Sequence, residues 1–458
     1  MRPTNRLRSI LRACFTYRSS GGPSPLEAPD KSILLGIFWS GLLLCVAKTF
    51  ALLKEMVIAA HFGTSAMLDG YLLVFNLVTF VSGLIFSIFS MFLVPALVNA
   101  RRLDDADATR WQLEVTTWIW LFAGVATAIS ALALEMLLSN GWLGLTPVGQ
   151  AAARDVLPWL TLIVGAGVLA SWYACQLMSA QRHINSGLEA IPSIGVMIAV
   201  LLMSGNNAEP LLWGTLIGYS LQAILLAVVV QRTGMPVLPG QSLGRPLTRG
   251  ATQSILWLLG SQLVLSFGSV IDQIILAHAS QGSISIFSYA TRLVGLIITL
   301  AVTTFSRGFI PVLATIESDK MAYALTNRWA NAALSVGLLC SVIIVVFARF
   351  VVESLLERRE FTGEDTAAVV SVVVILAFQL PFYLAGVIWW QWLVRVGNRR
   401  AMILSGVAGL FTKIAVVLFF NWVAALNPTA VAYSVVAWVT SWFIVVRLFS
   451  SRIVERQF

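Results

Sequence analysis

Among the charged side chains inside apolar runs of this chain, eight raise the first chemical question by their spacing. A run beginning at Ile33 carries Lys48, Lys54 and Glu55, and later runs hold Asp69, Asp272, Arg292, Arg307 and Lys413. A charge at the middle of a bilayer-spanning helix costs roughly 2.5–3.5 kcal/mol even on lenient scales, so such residues face a bundle interior or a watery cavity. Five of the eight are cationic, and a cavity they share would suit an anion, since charge-assisted contacts are the strong ones. Lys48 and Glu55 are seven residues apart, which puts them on one helix face but roughly 10 Å apart along the axis. Lys48 therefore needs a different partner: an acid on another helix, water, or an anionic ligand. Arg292 also has no acid within one turn of its own helix. Lys48, Lys54 and Arg292 are the candidate substrate-binding residues. Lys54 has two structural alternatives, snorkelling outward or pairing with Asp69 across the hairpin. Glu55, Asp69 and Asp272 are candidates for a gate or for ion coupling, with helix-end ion pairing as the alternative. Lys413 either lines the cavity or pairs structurally, and Arg307 reads as an interfacial anchor. His61 and His278 sit at helix ends as interfacial residues, a proton relay being their functional alternative.

The elements that must position these residues are membrane helices. Hydrophobic residues make up 58% of 458 positions and charged residues 11%, with a mean hydropathy of +0.85. A soluble chain of this length carries about a quarter charged residues. Apolar runs long enough to cross ~30 Å of hydrocarbon recur throughout, and the ten-residue alternation of a membrane β-barrel is not seen. Twelve spans are expected, near 33–60, 67–98, 111–138, 154–179, 184–204, 210–231, 251–279, 284–315, 325–352, 366–394, 401–424 and 428–449. Putting both termini in the cytoplasm leaves 21 of the 30 Lys and Arg inside and only Arg154, Arg349, Arg358 and Arg359 outside, as the positive-inside rule requires. The net charge of +9 is thereby a matter of topology and anionic headgroups, with no nucleic-acid partner implied. Residues 1–32 read as a basic cytoplasmic tail, with an organellar transit peptide as the lesser alternative. Residues 232–250 read as a cytoplasmic linker between six-helix bundles at 33–231 and 251–449, followed by a short cytoplasmic tail at 450–458.

The two bundles share a faint repeat. KEMVIAAH (54–61) aligns with IDQIILAH (271–278), matching Glu55 to Asp272 and His61 to His278, and FLVPAL (92–97) aligns with GFIPVL (308–313). Parallel six-plus-six repeats imply bundles related by an axis along the membrane normal, with substrate held between them. Other motifs carry no chemistry. GAGVLA (165–170) lacks the preceding strand of a dinucleotide fingerprint, and GTLIG (214–218) has the spacing of close helix packing. Four cysteines without CxxC spacing suggest neither a disulfide framework nor a metal site. No Walker, HExxH or GxSxG motif is present, so an enzyme and a cofactor are not expected.

The stretch KTFALLKEMVIAAHFGTSAMLDGY (48–71), together with SYATRLVGLI (288–297) and EFTGEDTAAVV (360–370), resembles the MurJ/MviN lipid II flippase family of the MOP flippase superfamily. That resemblance implies an all-α polytopic fold, a V-shaped pair of six-helix bundles around a cationic cavity. It further implies a bacterial cytoplasmic-membrane transporter that binds the pyrophosphate and sugar of an undecaprenyl-linked precursor. By position, Lys48, Lys54 and Arg292 correspond to cavity arginines of the family and Asp69 to its aspartate. The chain departs from the pattern in three ways: lysines replace arginines in span 1, Ser82, a candidate cavity residue, stands where the family has an arginine, and twelve spans replace fourteen. These departures favour a flippase for another lipid-linked saccharide, an exopolysaccharide or O-antigen unit, over lipid II itself. The expected partners are membrane lipid, the lipid-linked glycan and polysaccharide assembly proteins, around a monomer. Coupling to membrane potential or to a monovalent cation is expected in place of a cofactor. A cation-coupled multidrug antiporter and a membrane scaffold for glycan assembly are the competing readings.

Overall fold

The protein was described as a computed structural model. It describes residues 31–457 apart from 101–104, 181, 183, 204, 206, 241–259, 261–262, 264–265, 317 and 424–425. Within helices, the side chains at 31–40, 95, 99–100, 105–108, 304–308, 310–312, 314–315, 399 and 453–457 are also outside it. The basic tail, most of the linker, the first part of span 7 and the side chains of Arg307, Pro95 and Pro311 thus lie outside the described residues.

All regular structure among the described residues is helical. The first half comprises α1 (Lys31–Phe62), α2 (Ala66–Ala100), α3 (Asp105–Ser139), α4 (Pro147–Leu160), α5 (Leu162–Ser179), α6 (Ile184–Leu188), α7 (Ile191–Leu202) and α8 (Glu209–Arg232). The second comprises α9 (Ser266–Ala277), α10 (Ser283–Thr315), α11 (Asp319–Leu356), α12 (Gly363–Ala377), α13 (Leu380–Val396), α14 (Arg399–Val423) and α15 (Pro428–Gln457). Each expected span meets one helix or one broken pair. Nine helices among the described residues are long and apolar enough to cross a membrane, and α12 with α13, bent by 41°, make a tenth. The other two expected spans are α1, whose inner stretch carries Lys48, Lys54 and Glu55, and α9, of which twelve residues are described. The helix α15 runs to Gln457, so the expected tail continues a helix.

Small residues set the close contacts. A Cβ on Gly214 would lie 2.6 Å from Val196 Cα, and one on Gly218 would lie 2.7 Å from Pro192 Cα. GTLIG therefore packs α8 against α7, as its spacing predicts. Residues 233–240 do not hang free as a linker. Trp120 Nε1 and Tyr173 Oη donate to Val237 O at 3.0 and 3.1 Å, and Gln176 Nε2 donates to Pro236 O at 3.1 Å. Arg395, one of the expected inside arginines, donates to the carbonyls of Leu313 and Ile316. It closes the last turn of α10, whose final carbonyls lack partners within the helix.

The apolar core has two parts. The larger fills the first half and continues through Tyr289, Phe361 and Val369 into the second. The smaller, around Phe309, Trp389, Trp392 and Trp442, stays within the second half, at the opposite end of α10. Among the described residues, the core that the halves share lies at the clasp end of α10.

Candidate functional site

The shared end is built from the sequence stretches that carry the family resemblance. After α1 the chain turns at Gly63, which has φ +52°. A Cβ there would meet Glu360 O at 2.5 Å, so the left-handed turn and the close approach both demand glycine. Tyr289 Oη donates to Gly63 O at 3.1 Å, and Thr64 Oγ1 donates to Asp365 Oδ1 at 2.6 Å. The other oxygen of Asp365 closes a capping box with Thr362 at the start of α12, the reciprocal arrangement that satisfies orphan N–H groups. Phe361 sets its ring edge-on to Tyr289 at 5.6 Å.

Asp69 has a defined role in the same place. Its carboxylate accepts from Gly282 N at 2.6 Å, Ser285 N at 2.8 Å and Ser285 Oγ at 2.6 Å. The helix α10 has no capping side chain of its own, so an aspartate from the other half supplies the cap. A carboxylate at a helix N-terminus is favoured by both the free N–H groups and the dipole. Asp69 is therefore unavailable to Lys54, and the pairing across the hairpin that the sequence left open does not occur. Together these contacts make a clasp between the halves.

Beneath the clasp lies the charge cluster. Glu55, 4% exposed, pairs through Oε1 with Lys54 Nζ at 2.8 Å and through Oε2 with Arg292 Nη1. Both cations also lie over the ring of Phe75, at 5.6 and 5.8 Å from its centroid, a placement that adds cation–π attraction. Lys48, half-buried, lines a pocket of about 290 Å³ together with Lys54, Glu55, Tyr289 and Arg292. It makes no ion pair among the described residues, and Glu189, just past α6, is an acid within reach of its charge. Three cations against one carboxylate give this pocket two net positive charges. The geometry brings Lys48, Lys54, Glu55 and Arg292 to one place.

Arg292 also borders a larger polar cavity of about 670 Å³, lined by Asn76, Thr79, Ser87, Gln273, Asp272 and Lys413. Asn76 Nδ2 spans the halves, 3.0 Å from Gln273 Oε1 and 3.3 Å from Ser288 Oγ. Lys413, only 1% exposed, places Nζ 2.7 Å and 2.8 Å from the two oxygens of Asp272. Its stem passes Gly268, where a Cβ would come within 3.4 Å of Lys413 Cδ. Lys413 thus lines the cavity and forms an ion pair at once, and both alternatives for it hold. Ser82 does not reach this wall. Its hydroxyl faces Gly167 on α5, 2.5 Å from where a Cβ would stand, and bonds Val78 O at 3.4 Å. The expectation that it lines the cavity is corrected: a helix turned toward the cavity at Thr79 and Gly83 points residue 82 into its own bundle.

Sequence reading did not single out Phe75, Asn76, Gln273 or Tyr289 as site residues. Asn76, Thr79, Gly83 and Ser87 recur at helical spacing in an otherwise apolar span, and that polar stripe was the available signal. The repeat has a geometric counterpart. Glu55 and Asp272 both pair with cations, and His61 and His278 both turn Nδ1 onto the carbonyl four residues back, at 3.0 and 2.8 Å.

The helices, with a polar cavity between their halves, have the fold of helical membrane transporters of the MOP type. Solved structures agree on the fold. A "Lipid II flippase MurJ, inward closed conformation" superposes with TM-score 0.79 at 16% identity, covering 91% of this chain and 87% of that one. An inward-facing multidrug resistance MATE family transporter of the MOP superfamily gives 0.71 at 13%, covering 91% and 98%. The chain belongs to the lipid II flippase MurJ family, whose family model matches residues 58–456. A probable lipid II flippase MurJ of Rhizobium meliloti is 24% identical over 424 residues, covering 86% of this chain and 76% of its own length. Another from Bdellovibrio bacteriovorus is 24% identical over 285 residues, covering 57% and 52%.

Proposed function

We propose that this chain carries lipid II, the undecaprenyl-pyrophosphate-linked peptidoglycan precursor, across the bacterial cytoplasmic membrane by alternating access. The observation that carries the reading is the pocket of Lys48, Lys54, Glu55 and Arg292, with its two net positive charges beside a polar cavity. A pyrophosphate diester carries about two negative charges and would be matched there by charge-assisted hydrogen bonds. The family and both relatives support lipid II over the exopolysaccharide or O-antigen unit favoured from sequence alone. Of the three departures behind that preference, Ser82 loses its weight, because its side chain faces Gly167. The lysines of span 1 keep theirs: they lack the bidentate fork of arginine, and they sustain a different lipid-linked saccharide as the second reading.

With the N-terminus inside, the clasp lies toward the outer face of the membrane. Both expected drives act on such a cavity differently. An anionic headgroup leaving the negative interior is pushed outward by about 2.3 kcal/mol per charge per 100 mV. Asp272 already has Lys413 as its counter-ion, so the proposal places the drive in the membrane potential and not in a monovalent cation bound at Asp272. Removing the gene tests the substrate. Accumulation of lipid II followed by lysis is expected; viable cells that lose a surface polymer would assign the second reading instead.

A further inference from the structure

A lipid-linked substrate has a tail as well as a headgroup, and one span of this chain presents a separate face to each. Along α2, Asn76, Thr79, Gly83 and Ser87 border the polar cavity. On its other side, Val81, Ile85, Ile88 and Phe92 border an apolar groove of about 860 Å³ between α2, α3 and α9. Its volume falls in the upper part of the roughly 300–1,000 Å³ range of ligand sites. The two spaces are contiguous: Leu77, Phe80, Leu84 and Val270 line both. The groove also reaches from Val115 to Leu137 on α3, a rise of roughly 33 Å at 1.5 Å per residue. That is the depth of the hydrocarbon core.

We infer that the groove between α2, α3 and α9 holds the polyprenyl tail of the substrate while its pyrophosphate and saccharide occupy the cavity. The inference rests on the proposed headgroup site and adds where the tail lies. A pyrophosphate at Arg292 leaves its saccharide in the polar cavity and sends its prenyl chain over Leu77, Phe80, Leu84 and Val270 into the groove. Because the groove runs the full depth of the hydrocarbon, the tail keeps its contacts whichever leaflet the headgroup faces. Lipid chains are as apolar as the groove walls, so what the groove supplies is packing and a fixed path, not removal from water.

The test uses the full chain in phospholipid nanodiscs and two probes, undecaprenyl pyrophosphate and the short-chain geranyl pyrophosphate. Ala133→Trp and Ser130→Trp each put an indole into the groove without touching the charge cluster. Each is expected to weaken undecaprenyl pyrophosphate binding about ten-fold, a loss of about 1.4 kcal/mol, and to leave geranyl pyrophosphate binding unchanged. A diazirine on the distal prenyl units should label the peptide containing Trp118 and Phe122, and excess phospholipid should not compete. Unchanged undecaprenyl binding in both variants, or labelling erased by phospholipid, overturns the groove assignment alone. If wild-type protein binds neither pyrophosphate, the headgroup reading falls first and the groove with it.

Discussion

Lys48 is the residue whose setting differs most from its neighbours. Lys54 and Arg292 share Glu55, and Lys413 holds Asp272, whereas Lys48 borders the pocket without an ion pair among the described residues. Spacing alone indicates this, because seven residues of helix put Glu55 out of reach. Which acid serves which cation was not legible, since Arg292 and Glu55 are 237 positions apart. Glu55→Gln removes the one carboxylate of the pocket. Glu55 is buried, where one charge at about 4 Å is worth more than the ~1 kcal/mol it has in water, so binding of an anionic headgroup should tighten at least about five-fold while turnover falls, read as Kd and transport rate in the same preparation. The Asp272–Lys413 pair predicts a different outcome. Lys413→Ala strands a buried carboxylate and should cost about 3–5 kcal/mol, visible as a large drop in melting temperature in detergent. Asp272→Asn combined with Lys413→Met should recover most of it.

At the scale of elements, the short motifs that betray the family do more sealing than binding. HFGTS, the aspartate opening α2, the tyrosine of SYATR and the FTGED turn all meet in the clasp. Each part has its local reason: a glycine with positive φ, a helix cap supplied from the other half, a capping box whose spare oxygen takes Thr64. A sequence shows that glycine, aspartate and threonine stand at such places. It does not show that three loops separated by hundreds of residues close on one another, which only the packed halves determine. Asp69→Ala removes three hydrogen bonds from the start of α10, and losing a cap typically costs about 1 kcal/mol, up to about 2. The expected result is a looser outer face: a cysteine at Asn76 should react several-fold faster with a membrane-impermeant thiol reagent applied from outside. Equal rates would mean that Asp69 only stiffens α10.

For the whole molecule, hydropathy and arginine placement sufficed to delimit the helices. Helical limits follow the apolar runs but overrun them by up to eight residues at α15, and α4 to α7 and α12 to α13 break in mid-span, because a broken helix keeps the same apolar content. Prolines at helix starts, Pro192 and Pro381 among them, were the available signal for two of these breaks. The relation between the halves was legible only as a faint repeat. Among the described residues, hydrogen bonds between residues 55–76 and 272–365 link the halves, and they gather in the clasp and the charge cluster beneath it. Alternating access requires that clasp to open. Cysteines replacing Thr64 and Asp365 should therefore stop transport when oxidised to a disulfide and restore it on reduction. The central claim is that the cationic pocket grips the pyrophosphate of the moving lipid. Its most direct test is the rate of lipid II translocation in proteoliposomes under an imposed membrane potential, comparing wild type with Lys48→Ala at equal incorporation. At least a ten-fold loss is expected, equivalent to about 1.4 kcal/mol or one charge-assisted contact. Translocation by Lys48→Ala at the wild-type rate would contradict it.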